Sequence, residues 1–129
     1  MKLKVFKEFK FSAAHYLDIE GHKCSQLHGH NYRLRIEVTG KPDKNGMIID
    51  FEEIKKHVKP LLEIVDHSNL NETLGFLSTT CEDLCMWFYG ALYQKIPKIT
   101  KIEIQETDTC GAMLEIEKSD PFFSYKIPN

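Results

Sequence analysis

No stretch of this 129-residue chain approaches the roughly 20 consecutive apolar residues that a membrane-spanning helix needs. The opening Met1-Lys2-Leu3-Lys4-Val5-Phe6-Lys7-Glu8 alternates charged and apolar residues, so the continuous apolar segment of a signal peptide is missing. Basic runs are missing too. Lys and Arg total 17 against 19 Asp and Glu, a formal charge of −2, which makes nucleic acid and anionic membranes poor partners. Cysteine is sparse: Cys24, Cys81, Cys85 and Cys110 form no CxxC pair. The expectation is a cytoplasmic protein with reduced thiols rather than a disulfide framework. Repeats, linkers and low-complexity segments are absent as well. The chain therefore reads as one domain over residues 1–129, long enough to bury its own core.

What is present is patterned. From about Lys2 to His15, the residues Leu3, Val5, Phe9, Phe11, Ala13 and His15 share odd parity and hence one strand face. Phe6 breaks this alternation, as a bulge or an exposed aromatic would. From about His28 to Thr39, Tyr32, Leu34, Ile36 and Val38 point one way, and Arg33, Arg35, Glu37 and Thr39 the other. Extending that parity backwards puts His28 and His30 on the apolar side. Gly40 to Gly46 is turn chemistry. Asp50 then looks like an N-cap, with Glu53 at the capping-box position. Phe51, Ile54, Val58, Leu61, Leu62 and Val65 recur at helical spacing, and Pro60 should kink that helix or restart it. A second helix starts near Thr80 with Cys81, Leu84, Cys85, Phe88, Ala91 and Leu92 as its buried stripe, and Pro97 should end it. Ile102, Ile104 and Glu106, then Ala112, Leu114 and Ile116, mark two further strands. The order β-β-α-α-β-β predicts an α+β fold, two helices on one face of a four-stranded antiparallel sheet. Lys118 to Asn129 is aromatic but follows no pattern.

Three histidines carry the chemistry. A lone histidine on an apolar face is usually a hydrogen-bonded core residue. His15, His28 and His30 converging from two strands would instead need three satisfied networks, and a single metal ion satisfies them all. Three imidazoles with an open fourth position are the usual composition of a catalytic zinc site, although the ligand set alone does not exclude iron, nickel or copper. Cys24 lies on no periodic segment, and a loop cysteine near a cation can ionise and act as base or nucleophile. Cys81 and Cys85 read as small buried hydrophobes, and Cys110 as a turn residue. Asp66-His67 follows the first helix, a carboxylate placed to orient an imidazole for proton transfer. Glu106 occupies an apolar-face position, where an unpaired carboxylate is costly, so it pairs inside or meets a ligand with N–H donors. His22 and His57 read as solvated.

Phe11-Ser12-Ala13-Ala14-His15, Cys24-x3-His28-Gly29-His30-Asn31-Tyr32, Gly46-Met47-Ile48-Ile49-Asp50-Phe51, Asp66-His67-Ser68-Asn69-Leu70-Asn71 and Glu106-Thr107 occur in an order that resembles the 6-pyruvoyl- and 6-carboxytetrahydropterin synthase family. The likeness runs from about Phe6 to Leu114. It implies a tunnelling fold whose subunits join sheets edge to edge, usually a homohexamer built as a dimer of trimers. It also implies zinc on His15, His28 and His30, and a proton-transfer triad of Cys24, Asp66 and His67. Glu106 would anchor the pyrimidine N–H groups of a pterin, with Thr80 nearby. The pyruvoyl branch places five residues between cysteine and His-Gly-His, the carboxy branch three. Here there are three, Ser25, Gln26 and Leu27. The resemblance therefore implies a 6-carboxytetrahydropterin synthase acting on 7,8-dihydroneopterin triphosphate in queuosine and deazapurine biosynthesis. The rivals are a 6-pyruvoyl synthase and a zinc-stabilised pterin-binding protein without turnover. One departure is Cys81, where the family tends to carry Ser or Thr.

Overall fold

Alternating side chains build the first half of the fold in a computed structural model, which describes residues 1–75 and 78–117. Strand β1 spans Lys4–His15 and β2 spans His28–Thr39. They pair antiparallel along their whole length, from Lys4 opposite Thr39 to His15 opposite His28. Phe11, Ala13, Tyr32, Leu34, Ile36 and Val38 are buried on the shared face, as their parity predicts. Phe6 proves to be an exposed aromatic. The Arg35 guanidinium stacks 3.6 Å from its ring centroid while bonding Glu8 and Glu37, so the ring and its cation cover one another on the polar face.

Helix α1 spans Phe51–Val65, opened by the Asp50 carboxylate, which accepts from Glu52 N at 2.9 Å. Pro60 does not restart it. The helix is continuous through this exposed position, where the carbonyl that loses its N–H partner can turn to water. Helix α3, Cys81–Leu92, follows Thr80, whose hydroxyl accepts from Asp83 N. It ends at Leu92, five residues before Pro97. The proline therefore follows a turn and does not itself stop the helix.

Two elements were not expected: β3 (Ser68–Asn69) and α2 (Leu70–Leu74). With β4 (Ile99–Thr107) and β5 (Cys110–Glu115) they change the expected four-stranded antiparallel sheet into a five-stranded mixed one. The order is β3-β1-β2-β4-β5, antiparallel except where β3 runs parallel to β1. Among the described residues there are thus three α-helices rather than two. A two-residue strand is too short to show any periodicity; tertiary pairing with β1 creates it. The fold remains α+β, and all three helices send side chains into one core against the sheet. Among the described residues no helix is long and apolar enough to cross a membrane. The segment Lys118 to Asn129 lies outside the described residues.

Phe88 is fully buried at the centre of this core, its ring 6.0 Å from Phe11 and 4.9 Å from Trp87. Truncating it removes contacts that the surrounding strands cannot close over. Phe88→Ala should lower the unfolding free energy by about 3–5 kcal/mol, read from denaturant titrations; a loss under about 1 kcal/mol would contradict this packing.

Candidate metal centre

The register of β1 on β2 assembles the histidine cluster. His15 lies directly opposite His28, and Ala13 opposite His30, so the three imidazoles emerge on one face within two residues of each other. Ring centroids are 4.6 Å apart for His15–His28, 5.2 Å for His15–His30 and 4.9 Å for His28–His30. One ligand nitrogen from each ring lies within 4.8 Å of the others.

Their protonation follows from their partners. His15 Nδ1 is 2.9 Å from the Thr79 carbonyl, and His28 Nδ1 is 2.8 Å from the Gln26 carbonyl. A carbonyl only accepts, so both Nδ1 atoms carry a proton, which leaves Nε2 as the nitrogen that each ring can offer to a metal. Burial lowers the His15 pKa, against the weaker raising effect of its Thr79 bond, so this ring is neutral, the form that ligates metal. Its Nε2 is buried and has no hydrogen-bond partner. A buried polar atom left in that state costs about 1–3 kcal/mol; an ion held among the three rings removes the penalty. The donor set fits a divalent metal with an open coordination position.

Glu106 stands beside the cluster, its Oε2 3.8 Å from His30 Nε2. It is the extra residue of a bulge in β4, since Gln105 pairs with Gly111 and Thr107 with Cys110. Bulges re-aim side chains. A Cβ on Gly111 would strike the Ile104 carbonyl and Gln105, so glycine permits this close approach of β5. The Cys81 thiol lies at Glu106 too: burial, then the Glu106 charge, push it up to about 12. Burial and the same carboxylate raise the Tyr32 phenol. Tyr32 is 1% exposed, and its hydroxyl is the other orphaned buried polar atom among the described residues. Thr80 caps α3 next to Cys81, its hydroxyl shared with Asp83.

Cys24 is half-buried on a 3-10 turn, Lys23–Ser25, four residues before His28. His22 Nδ1 caps that turn by accepting from Cys24 N at 3.0 Å, a role its exposed position had hidden. Asp66 and His67 form the expected pair, His67 Nδ1 lying 3.1 Å from Asp66 Oδ2. The Ser12 backbone N–H, bonded to Asp66 at 2.9 Å, and then His67 lower the Asp66 pKa. His67 N also donates to the Ser12 carbonyl at 2.6 Å, and its φ of 57° is left-handed, unusual outside glycine. Among the described residues no hydrogen bond or ion pair joins this pair to Cys24. His67 has a side chain 84% exposed and lines a cleft with Ser12, Ala13, Ala14, Gly29, His30 and Asn31. Sequence reasoning missed Thr79, Gln26 and Asn71. Only Asn71 carried a signal, as the last residue of the motif that begins at Asp66.

The profile of the family described as 6-pyruvoyl tetrahydropterin synthase matches residues 4–117. A Synechocystis protein named 6-carboxy-5,6,7,8-tetrahydropterin synthase is 37% identical over 115 residues, covering 84% of this chain and 89% of that one. A Pyrococcus furiosus dihydroneopterin monophosphate aldolase is 30% identical over 118 residues, covering 89% and 99%. The solved structure of Caenorhabditis elegans 6-pyruvoyl tetrahydropterin synthase superposes with a TM-score of 0.80 at 26% identity, covering 91% of this chain and 97% of that one.

Thiol reactivity separates the four free cysteines. Cys81 and Cys85 are buried, and burial pushes both thiols up to about 12. A raised pKa keeps a thiol protonated and unreactive below that value. At pH 8, iodoacetamide followed by mass spectrometry should therefore label Cys110 and Cys24, leaving Cys81 and Cys85 unmodified until the protein is unfolded.

Proposed function

The chain belongs to the 6-pyruvoyl tetrahydropterin synthase family, and on that premise we propose that it is a zinc-dependent 6-carboxytetrahydropterin synthase. It would convert 7,8-dihydroneopterin triphosphate and water to 6-carboxy-5,6,7,8-tetrahydropterin, acetaldehyde and triphosphate, a step towards queuosine and other deazapurines. The observation that carries this reading is the three-histidine cluster with the Glu106 carboxylate 3.8 Å from His30. A metal site and an acceptor for paired N–H donors then share one strand-end surface. The three residues between Cys24 and His28 support the carboxy branch, as does the name of the Synechocystis relative. The four free thiols suit a reducing cytoplasm.

When bound, zinc on His15, His28 and His30 would supply Lewis acidity to the side-chain hydroxyls of the substrate. Glu106 accepts hydrogen bonds from the pterin ring and fixes its orientation. Cys24, as thiolate, removes a proton from the substrate side chain. Asp66 holds His67 with its proton on Nδ1, which leaves Nε2 to accept and return protons. Triphosphate leaves by elimination, and carbon–carbon cleavage with water releases acetaldehyde. The pterin ring gains the two electrons that its side chain loses, so no external reductant is required.

Because the His67 side chain is exposed and, among the described residues, bonds to nothing at Cys24, it serves the site of a neighbouring copy. The open edges at β3 and β5 offer backbone pairing for that assembly, in a homohexamer arranged as a dimer of trimers.

Zinc-loaded protein incubated with 7,8-dihydroneopterin triphosphate should release acetaldehyde and the 6-carboxy product. A 6-pyruvoyl product without acetaldehyde would move the protein to the other branch, and binding without turnover would make it a pterin-binding protein. Cys24→Ala should lower kcat roughly 10²–10⁴-fold; unchanged turnover would remove the cysteine from the mechanism. Glu106→Gln loses a charge-assisted hydrogen bond of about 1.5–3 kcal/mol, so KM should rise roughly 10- to 150-fold with a smaller change in kcat.

A further inference from the structure

Asn71 is buried, 6% exposed, on α2, and its side chain bonds Tyr16 and Thr79. The Tyr16 backbone N–H points at one end of the amide at 3.0 Å, and the Tyr16 carbonyl faces the other at 2.9 Å. An N–H must meet an oxygen and a carbonyl must meet an NH₂, so the amide has one permitted orientation. Its Oδ1 therefore also faces the hydroxyl of Thr79, at 3.2 Å, and that hydroxyl has to donate. With its proton committed, the Thr79 oxygen can only accept from His15 Nδ1, 3.2 Å away, beside the Thr79 carbonyl at 2.9 Å. Thr79 is fully buried, so water does not compete. The hydrogen bonds that link Asn71 through Thr79 to His15 thereby have fixed directions, and the relay ends with the Nε2 lone pair of His15 turned into the cluster.

We propose that Asn71, acting through Thr79, is a positioning residue for the metal ligand His15. It holds the ring in the tautomer and orientation that bind the ion. The inference rests on the metal reading of the histidine cluster. Asn71 also bonds the backbone of Tyr16, the residue after His15, so it holds the ligand from its ring and from its main chain. Hydrogen-bond partners that orient a ligating histidine typically change metal affinity about 10–100-fold when removed.

Zinc affinity is the direct readout, measured by competition against a chromophoric chelator on purified protein whose fold has been checked by circular dichroism. Wild type that takes up no zinc would sink the metal reading itself. If wild type binds, Thr79→Val, which keeps the shape and the carbonyl but cannot accept from His15 or donate to Asn71, should weaken zinc roughly 10–100-fold. Thr79→Ser should restore affinity close to wild type, and Asn71→Ala should match Thr79→Val. The cobalt-substituted protein should show an altered visible ligand-field spectrum in Thr79→Val and a wild-type spectrum in Thr79→Ser. A folded Thr79→Val that binds zinc as tightly as wild type overturns the proposal. So does a loss of apo stability in Asn71→Ala with unchanged zinc affinity, because that pattern marks a purely structural contact. Should Asn71→Ala fail to fold, Thr79→Val alone decides.

Discussion

The register between β1 and β2 is the constraint on which the rest depends. Twelve residues of β1 pair with twelve of β2, ending on His15 opposite His28. Strand side chains have a period of two, so a slip of one residue would turn β2's histidines, Tyr32, Leu34 and Ile36 towards the solvent face. Nothing in the histidines themselves holds that register. It is held by the buried Tyr32, Leu34, Ile36 and Val38 further along β2, by the stacking of Phe11 on Tyr32 at 4.9 Å and by the Arg35–Glu8 pair across the opposite face. The hydrophobic core thus supplies the precision, and the strand ends spend it on chemistry.

The outer edge of β1 has a second task. From Asp66 to Asn71 the chain follows β1 residue by residue: Asp66 and His67 on the Ser12 backbone, Ser68 beside Ala13, Asn69 beside Ala14 and Asn71 on Tyr16. One short segment therefore holds an exposed Asp-His pair at one end and the support of the cluster histidine His15 at the other. Within it, Ser68 and Asn69 pair with the end of β1, directly after α1 stops at Val65.

Much of this is legible in the amino-acid sequence. Strand parity placed three histidines on a buried face because the period of two holds over a dozen residues and needs no tertiary information. Asp50 and Thr80 announced their helices because capping is local chemistry. What escaped has a common physical cause. The β3–α2 segment, the Thr79 and Gln26 carbonyls that set the tautomers, and the bulge that re-aims Glu106 all depend on partners distant in sequence or on backbone atoms. Side-chain patterns carry no trace of either. The Asp66-His67 motif is readable as a pair, but its place on the Ser12 backbone is not. Pro97 misled because a proline marks where a helix cannot continue, whereas α3 had already ended in a turn.

The central claim is that the His15, His28 and His30 rings form a metal site rather than three separate core residues. Metal content after zinc loading and removal of excess ion tests it most directly, with wild type and His28→Ala compared side by side. About one equivalent of zinc per chain in wild type, and a large loss in the variant, is the result this structure predicts. Less than about a tenth of an equivalent in folded wild type would contradict it, leaving the buried His15 Nε2 without an explanation.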